Sequence, residues 1–388
     1  MLSRKHLIPL AFSIVSFAFM LTWVLEVEQA GRVPDFAVFY SAPHLLETGD
    51  LYNTQRLHEL ERTFTGAYSE EHGYLRPPFH ALLYWPLSRL SYSTARACWT
   101  VVLVLAFAGF IAFWPGPSPM ATLMFASLAM PVFAAFTAGQ ELPLLLLFLA
   151  GAAVLLRRGR AFGAGLLLSL CAIKFHLFLL LPLLLIGGKY WRALGGLLAG
   201  GSILLAASFA AAGPLWPLLA VRAAMNLQFS PRAALMPNLH GMLAGLSQGW
   251  VVEMILSAAV AAAVWVVARR APFLVALACA LTGGLLLSYH AYFVDFAILL
   301  PAGLAVLASS RLGVQRLLAA LLISPVSYLL LVMGFPYSLP VVLGMLTLVG
   351  LSAYEVLRAG AADTERQDGC QHVAPGAFTP TDYPSRSA

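Results

Sequence analysis

The strongest candidate for catalysis in this chain is Asp35, which lies in the stretch 33–40 with the sequence VPDFAVFY. It stands between a proline and several aromatic residues, just after the first long apolar segment ends. A carboxylate close to a membrane surface is costly to desolvate, and its neighbours readily shift its pKa. Such a group can serve as a general base that takes a proton from a hydroxyl. Asp is also a favoured N-cap residue, so Asp35 could instead cap a helix that begins near Phe36.

A second candidate is the triplet Lys174-Phe175-His176, which interrupts an otherwise apolar stretch. A lysine there can neutralise a phosphate, and a neighbouring histidine can donate hydrogen bonds to phosphate oxygens. In the alternative interpretation, Lys174 extends its ammonium to the membrane interface and His176 only marks the end of a helix. The sequence leaves both interpretations open.

A third candidate combines His290 and Asp295 with Tyr289 and Tyr292. A histidine beside an acid and two tyrosines can bind a phosphate or a sugar. The same pattern also occurs in aromatic belts at membrane interfaces. We favour a functional role, because a histidine and a carboxylate together are costly in such an apolar neighbourhood.

Three further positions carry weaker signals. Gln140 follows a glycine before an apolar helix and can bind a sugar hydroxyl, although a structural role as part of a cap is favoured. Asn238 and His240 lie in a loop rich in turn residues and could contact an acceptor. Arg76 precedes two prolines, which predict an extended turn, and it could also meet a phosphate.

The composition predicts an all-α polytopic membrane protein. Hydrophobic residues make up 60% of the chain and charged residues only 10%, whereas soluble proteins have about 25% charged residues. Several apolar runs reach the roughly 20 residues that cross a bilayer, and they lack the alternation of a membrane barrel. The net charge of +6 does not indicate a nucleic-acid partner, because much of the Lys and Arg lies in short loops. The four cysteines show no pairing or zinc spacing.

Apolar segments divide the chain into a bundle of about twelve predicted transmembrane helices. They are residues 7–25, 97–114, 119–136, 142–156, 161–173, 177–186, 193–212, 251–267, 272–288, 293–308, 317–333 and 339–357. Residues 1–357 form the predicted membrane domain, in which 26–96 are a long first extracytoplasmic loop with an interfacial helix near 79–90. Basic residues precede the first segment, which we interpret as a retained helix rather than a cleaved signal peptide. Residues 358–388 are predicted to form a disordered cytoplasmic tail.

The distribution of charge orients this bundle. Basic residues cluster in short connections that the positive-inside rule assigns to the cytoplasm. These residues are Arg157, Arg158, Arg160, Lys189, Arg192, Arg269, Arg270, Arg311 and Arg316. Counting crossings then places the candidate residues of the preceding paragraphs together on the extracytoplasmic face. Polar groups that converge there can build a site that is half lipid and half water.

Several classes of enzyme are excluded by the motifs that the sequence lacks. It has no Walker loop, no dinucleotide-binding fingerprint and no zinc helix motif. It also has no paired carboxylates that could hold the metal ion of a nucleotide-sugar. A lipid-linked donor therefore suits the sequence better, and we expect neither a metal nor a cofactor.

An ordered set of short motifs resembles the family 87 glycosyltransferases. The set is Asp35 and Tyr40, Leu51-Tyr52, Pro77-Pro78-Phe79, Gly139-Gln140, Lys174 and His290-Ala291-Tyr292. Leu142, Phe175 and Arg76 stand where the family often has Asn, Pro and Tyr, respectively. These departures bear on the sugar and the acceptor more than on the class of reaction.

The resemblance implies the C-type glycosyltransferase architecture and a polyprenyl-phosphate mannose donor. Asp35 would be the base in an inverting transfer to a lipid-linked or cell-envelope glycan acceptor, outside a bacterial plasma membrane. The expected residues near the donor phosphate are Lys174, His176, His290 and Arg76. The expected sugar or acceptor contacts are Tyr40, Gln140, Asn238, His240, Tyr292 and Asp295. The partners would be the donor, the acceptor and membrane lipids.

Two other classes of protein remain as alternatives at this stage. A multispanning transporter or flippase would carry polar groups near the middle of the bilayer, often in two related halves. Here the polar residues gather at one face, which favours an enzyme. A structural membrane subunit is the third possibility.

Overall fold

The computed structural model describes residues 4–28, 33–116, 118–225 and 233–371. Every regular element in these ranges is helical. The α-helices, numbered in chain order, are α1 (Arg4–Glu28), α2 (Asp35–Glu47), α3 (Thr54–Thr65), α4 (Pro78–Tyr84), α5 (Tyr92–Phe113), α6 (Pro119–Ala126), α7 (Met130–Ala138), α8 (Leu142–Arg157), α9 (Ala161–Ser169), α10 (Leu181–Gly187), α11 (Trp191–Ala212), α12 (Trp216–Ala224), α13 (Leu239–Leu243), α14 (Gly249–Arg270), α15 (Phe273–Leu287), α16 (Leu299–Ser309), α17 (Gly313–Leu322), α18 (Pro325–Val332) and α19 (Leu339–Gln371). Short 3₁₀ helices lie at Leu87–Arg89, Leu170–Leu177, Ala233–Leu235 and Phe293–Ile298.

The all-helical fold is as predicted, but the predicted count of about twelve crossings is not confirmed. Within the described ranges, four helices are long and apolar enough to span a membrane, namely α5, α11, α14 and residues Leu339–Ala359 of α19. Two bent pairs raise this number to as many as six: α6 with α7, bent by 68°, and α17 with α18, bent by 54°. Five further apolar helical segments have 10–17 residues, fewer than the roughly 20 of a typical crossing; they are Leu7–Trp23, Leu142–Arg157, Ala161–Leu177, Phe273–Leu287 and Phe293–Ser309.

The breaks in the bent pairs coincide with prolines. Pro131 lies in the first turn of α7, and Pro325 is the first residue of α18. A proline fits the first turn of a helix but cannot donate the hydrogen bond that would continue the preceding helix. Each apolar run that the sequence predicts as one span, 119–136 and 317–333, is therefore two short helices at an angle.

The predicted first loop is largely helical. It contains α2, α3 and α4, and Asn53 caps α3 by accepting a hydrogen bond from the Arg56 N–H at 3.3 Å. The ring of Tyr84 packs against those of Phe36 and Phe39, with centroids 6.2 and 5.5 Å away, respectively. This aromatic core fixes α2 against α4 and so fixes the backbone of Asp35.

The closest helix contact lies between α9 and α11. A Cβ atom added at Gly165 would lie 1.9 Å from the Ala193 carbonyl oxygen, and one at Gly196 would lie 2.0 Å from the Phe162 oxygen. Only glycine permits the backbones to approach so closely, a device common between membrane helices. The contact holds the end of α9, from which the 3₁₀ helix Leu170–Leu177 continues.

The last helix extends beyond the predicted end of the membrane domain at residue 357, because α19 continues to Gln371. Several residues of this extension, among them alanine, glutamate and arginine, are good helix formers. Residues 372–388 of the predicted tail lie outside the described residues.

The sidedness of the helix ends is open to a labelling test. In a chain whose native cysteines are replaced by alanine, we expect Tyr289→Cys to react with an impermeant thiol reagent from outside intact cells, and Arg192→Cys not to react. Both side chains are exposed, and Tyr289 is 64% exposed, so burial within the protein does not limit either reaction. The expectation rests on the positive-inside rule. The reverse pattern would contradict the orientation.

Candidate active site

Four segments that are distant in the chain meet at one place. They contribute Asp35 from the first turn of α2, Gln140 from the connection between α7 and α8, Lys174 from the 3₁₀ helix after α9, and Asp295 from the 3₁₀ helix before α16. Hydrogen bonds join these four side chains in a row, with Asp35 at one end and Asp295 at the other. Four of the sequence-predicted site residues are thus in one network.

Lys174 is the centre of this row, and its side chain is only 3% exposed. Its backbone angles, φ −125° and ψ 54°, interrupt the helix. The ammonium donates hydrogen bonds to Asp295 Oδ1 and to Gln140 Oε1, and Asp295 Oδ2 accepts the Tyr292 N–H at 2.9 Å. A buried lysine requires such partners, because an unpaired buried charge is costly. Lys174 therefore does not extend to the interface, and this alternative does not fit its position.

The amide of Gln140 is oriented by its two neighbours. Lys174 has only donors, so the amide oxygen must face it. The amide nitrogen then faces Asp35 and donates to its Oδ2. The hydrogen bond from Lys174 therefore fixes the Gln140 amide with its nitrogen toward one oxygen of Asp35.

Asp35 does not cap α2, which was the alternative role for it. The helix begins at Asp35 itself, the N-cap position is Pro34, and no side chain caps the first turn. The carboxylate accepts from Gln140 through Oδ2 instead, and its Oδ1 lies 3.5 Å from His72 Nε2. Its side chain is 33% exposed, so the surface that faces away from these partners is open to another group.

His72 and Glu61 are functional candidates that the sequence interpretation missed. His72 Nδ1 donates a hydrogen bond to Glu61 Oε1 at 2.5 Å, and the Glu61 side chain is fully buried. Burial alone would lower the pKa of His72, but its contacts with Asp35 and Glu61 outweigh burial and raise the pKa to about 9. Burial would raise the pKa of Asp35, but His72, Gln140 and Lys174 together hold it below its ordinary value. The local segment Ser69-Glu70-Glu71-His72 gave no sign of this role, because it has the composition of a solvated turn.

Next to the row lies a second buried polar cluster around Glu141. This side chain is fully buried; Oε1 accepts hydrogen bonds from His80 at 2.5 Å and Tyr84 at 3.2 Å, and Oε2 lies 3.6 Å from Arg76 Nη2. Burial would raise the pKa of Glu141, but Arg76 and His80 outweigh it and keep the group ionised. Arg76 also donates to the Ile173 carbonyl at 2.7 Å, next to Lys174. The cluster therefore holds the backbone of the site in place.

The two predicted histidines His176 and His290 form an adjacent pair. Their ring centroids are 6.0 Å apart, and the His290 ring lies 5.0 Å from the ring of Tyr292. Among the described residues, the buried Nε2 of His176 has no hydrogen-bond partner. Burial lowers the pKa of His290 more than Asp295 raises it. At neutral pH, His290 therefore offers a hydrogen-bond donor without a positive charge.

The other three predicted residues are outside these contacts. Tyr40 donates to the Leu90 carbonyl at 2.6 Å and packs among aromatic rings. Asn238 accepts the Gly241 N–H at 2.8 Å and donates to the Ser288 carbonyl at 2.6 Å. His240 Nδ1 lies 3.3 Å from Glu253 Oε2. Their observed contacts are with the scaffold, although Asn238 supports the connection that carries His290.

The residues that the structure describes contain no cluster of three or more His, Cys, Asp or Glu side chains able to hold a metal ion. The charged groups around Asp35 are instead paired with one another. The site can thus present a partly exposed carboxylate and neutral imidazoles beside buried, fixed charges.

The several apolar helices indicate a membrane protein, and four polar side chains from distant segments meet at one site. A comparison with protein-family models matches "Glycosyltransferase family 87" over residues 74–290, more than half of the chain. The chain belongs to this family and is a membrane glycosyltransferase, so the transporter alternative is not favoured. No curated protein and no solved structure matches it. The matched span includes Gln140, Lys174 and His290, and Asp35 is joined to it through Gln140.

The orientation of Gln140 gives a sharp test of the row. Gln140→Glu keeps the shape and can still pair with Lys174, but it turns a carboxylate oxygen toward Asp35. Two carboxylates in contact raise the pKa of one of them. We expect the acid limb of the pH–rate profile to move to higher pH by about one unit or more, so transfer should fall more at pH 5 than at pH 7.

The matched control for this substitution is Gln248→Glu, which makes the same change of charge at an exposed position. It should leave both the rate and its pH dependence unchanged. If Gln140→Glu behaves like this control, Gln140 does not act on Asp35.

Proposed function

We propose that this membrane glycosyltransferase moves a sugar from a polyprenyl-phosphate donor to a hydroxyl of a lipid-linked or cell-envelope glycan acceptor. The sugar is mannose, and transfer takes place on the extracytoplasmic face of a bacterial plasma membrane, within a C-type glycosyltransferase architecture. The observation that carries the proposal is the exposure of Asp35. Its side chain is 33% exposed, whereas those of Lys174 and Asp295, further along the row, are only 3% and 5% exposed.

Asp35 acts as the general base in this proposal. The acceptor hydroxyl approaches the open surface of the carboxylate, and its oxygen attacks the anomeric carbon as its proton passes to Asp35. The bond between the anomeric carbon and the phosphate oxygen breaks, and the polyprenyl phosphate leaves with the electron pair. A single displacement inverts the anomeric carbon. One carboxylate is sufficient, because a lipid phosphate leaves without a strong general acid.

The charge of the departing phosphate is stabilised by hydrogen bonds and by the field of the site. Lys174 and Arg76 already face carboxylates, so neither is a free cation for the phosphate. The groups left to form hydrogen bonds with the phosphate are the imidazole of His290 and the unpartnered Nε2 of His176. Fixed donors of this kind, aimed at developing charge in a site shielded from water, stabilise a transition state effectively.

The donor class is tested with purified protein in liposomes. Polyprenyl phosphates that carry isotopically labelled mannose, glucose or galactose are supplied with a membrane extract, and mass spectrometry identifies the product that gains a labelled hexose. We expect a product from the mannose donor. Transfer from nucleotide-mannose by purified protein, with none from any polyprenyl-phosphate sugar, would contradict the proposal.

A further inference from the structure

The Glu61–His72 pair reaches Asp35 from the side opposite to Gln140. Glu61 lies in α3, and its Oε2 also accepts the Ser69 N–H at 3.4 Å. His72 Nδ1 is 2.5 Å from Glu61 Oε1, and its Nε2 is 3.5 Å from Asp35 Oδ1. Gln140 donates to Oδ2. Each oxygen of the Asp35 carboxylate therefore faces its own polar partner, and the two partners come from different parts of the chain.

We infer that His72 is a positioning residue for the catalytic carboxylate: Glu61 fixes the imidazole ring, and the ring in turn fixes Oδ1 of Asp35. The inference rests on the proposed function of Asp35 as the base. It assigns to the first predicted loop a part in catalysis beyond carrying Asp35 itself. The side chain of His72 is 12% exposed, so the ring has little freedom to turn away.

The chemistry of the ring defines the state in which this support operates. Both ring nitrogens face carboxylate oxygens, and an ionised carboxylate can only accept hydrogen bonds. A neutral imidazole has one N–H and would turn a lone pair toward one of the two acids. Only the imidazolium interacts favourably with both. The pKa of about 9 for His72 agrees with this requirement.

Protonated His72 also affects the proton affinity of Asp35. The charged and titratable groups that face Asp35 are His72 from the first loop, Lys174 from the 3₁₀ helix after α9, and His290 from the connection before α16. Those that face His72 are Asp35 and Glu61. The cation next to Asp35 favours its ionised form, so the base is ready to accept a proton across the neutral range.

A purely structural role for His72 predicts different behaviour. The backbone carbonyl of His72 accepts a hydrogen bond from His58 Nε2 at 3.1 Å. This contact holds the loop to α3 and does not involve the ring of His72. If the ring only helps to hold the loop, its replacement lowers stability or expression. It leaves the pH dependence of the rate unchanged.

The test is the pH profile of kcat and of the donor KM for His72→Gln in liposomes, between about pH 4 and pH 10. We expect kcat at pH 7 to fall by about ten- to a hundredfold, because small displacements of a catalytic group are costly. The acid limb of the profile should move to higher pH by about one unit or more, because burial then acts on Asp35 without the cation. The donor KM should change little. His58→Gln is the matched control, and the acid limb of its pH profile should stay at the wild-type pH.

Glu61→Gln provides a second variant if His72→Gln does not fold. It is isosteric and keeps an acceptor for His72 Nδ1, but it removes one of the two charges that raise the pKa of the ring. The alkaline limb, expected near pH 9 in the wild type, should move to lower pH. Unmoved limbs in a well-folded variant, with wild-type transfer intact, would overturn the inference and leave the proposed function standing. Failure of the wild type to transfer sugar would overturn the proposed function instead.

Discussion

Asp35→Asn is expected to lower the rate of sugar transfer by about 10²–10⁴-fold, the usual contribution of a general base. Asparagine keeps the size of the side chain and an oxygen that can accept from Gln140, but it cannot take the proton of a hydroxyl. Donor binding should survive, because His176 and His290 rather than Asp35 are assigned to the phosphate. The measurement is the rate at saturating donor together with the donor KM.

Asp50→Asn is the control for this substitution. Asp50 follows the far end of α2, roughly 20 Å along the helix from Asp35. The same change of charge there should leave transfer unchanged. Near-normal transfer by a well-folded Asp35→Asn protein would eliminate Asp35 as the base.

Lys174→Ala is expected to have the second large effect, and first on stability. It leaves the carboxylate of Asp295, only 5% exposed, without its cation, which costs about 3–5 kcal/mol when a buried pair is broken. Gln140 also loses the donor that orients its amide. The half-life of the detergent-solubilised protein at a fixed temperature should shorten markedly, whereas Lys189→Met, at an exposed position, should not shorten it.

The double variant Lys174→Met with Asp295→Asn separates stability from catalysis. It removes both charges, so neither is left buried and unpaired, and the half-life should recover. Transfer should stay at least tenfold below the wild type, because the donor that orients the Gln140 amide toward Asp35 is missing. Full recovery of transfer together with stability would assign the pair a structural role alone.

The sequence predicted the type of fold and many of the polar groups, and the structure explains why the rest was not predicted. Long apolar runs specify helices, but they do not show that the runs 119–136 and 317–333 are each bent, by 68° and 54°, where α7 and α18 begin. Lys174 and Asp295 are 121 residues apart in the chain, so no local sequence spacing predicts their contact. His72 was missed for the same reason, since its partners lie in α2 and α3 and its own neighbours resemble a surface turn.

Tyr40 and Asn238 show the opposite case, in which a residue type suggests a site but the observed contacts are structural. Their residue types suit sugar recognition, and the order of motifs in the chain drew attention to Tyr40. In the fold, the Tyr40 hydroxyl donates a hydrogen bond to the Leu90 carbonyl, and Asn238 caps α13. A polar side chain near a site can be needed only as a hydrogen-bond partner for a buried backbone group. The sequence pattern does not distinguish this structural role from binding of a sugar.

The most direct measurement follows one turnover of labelled polyprenyl-phosphate mannose by purified wild-type and Asp35→Asn proteins in liposomes with the glycan acceptor. Both polyprenyl phosphate and mannosylated product are quantified by mass spectrometry. We predict that the wild type releases one polyprenyl phosphate for each mannose transferred, and that both products form about 10²–10⁴-fold more slowly in Asp35→Asn. Equal rates in the two proteins, or no transfer of mannose by the wild type, would contradict the account.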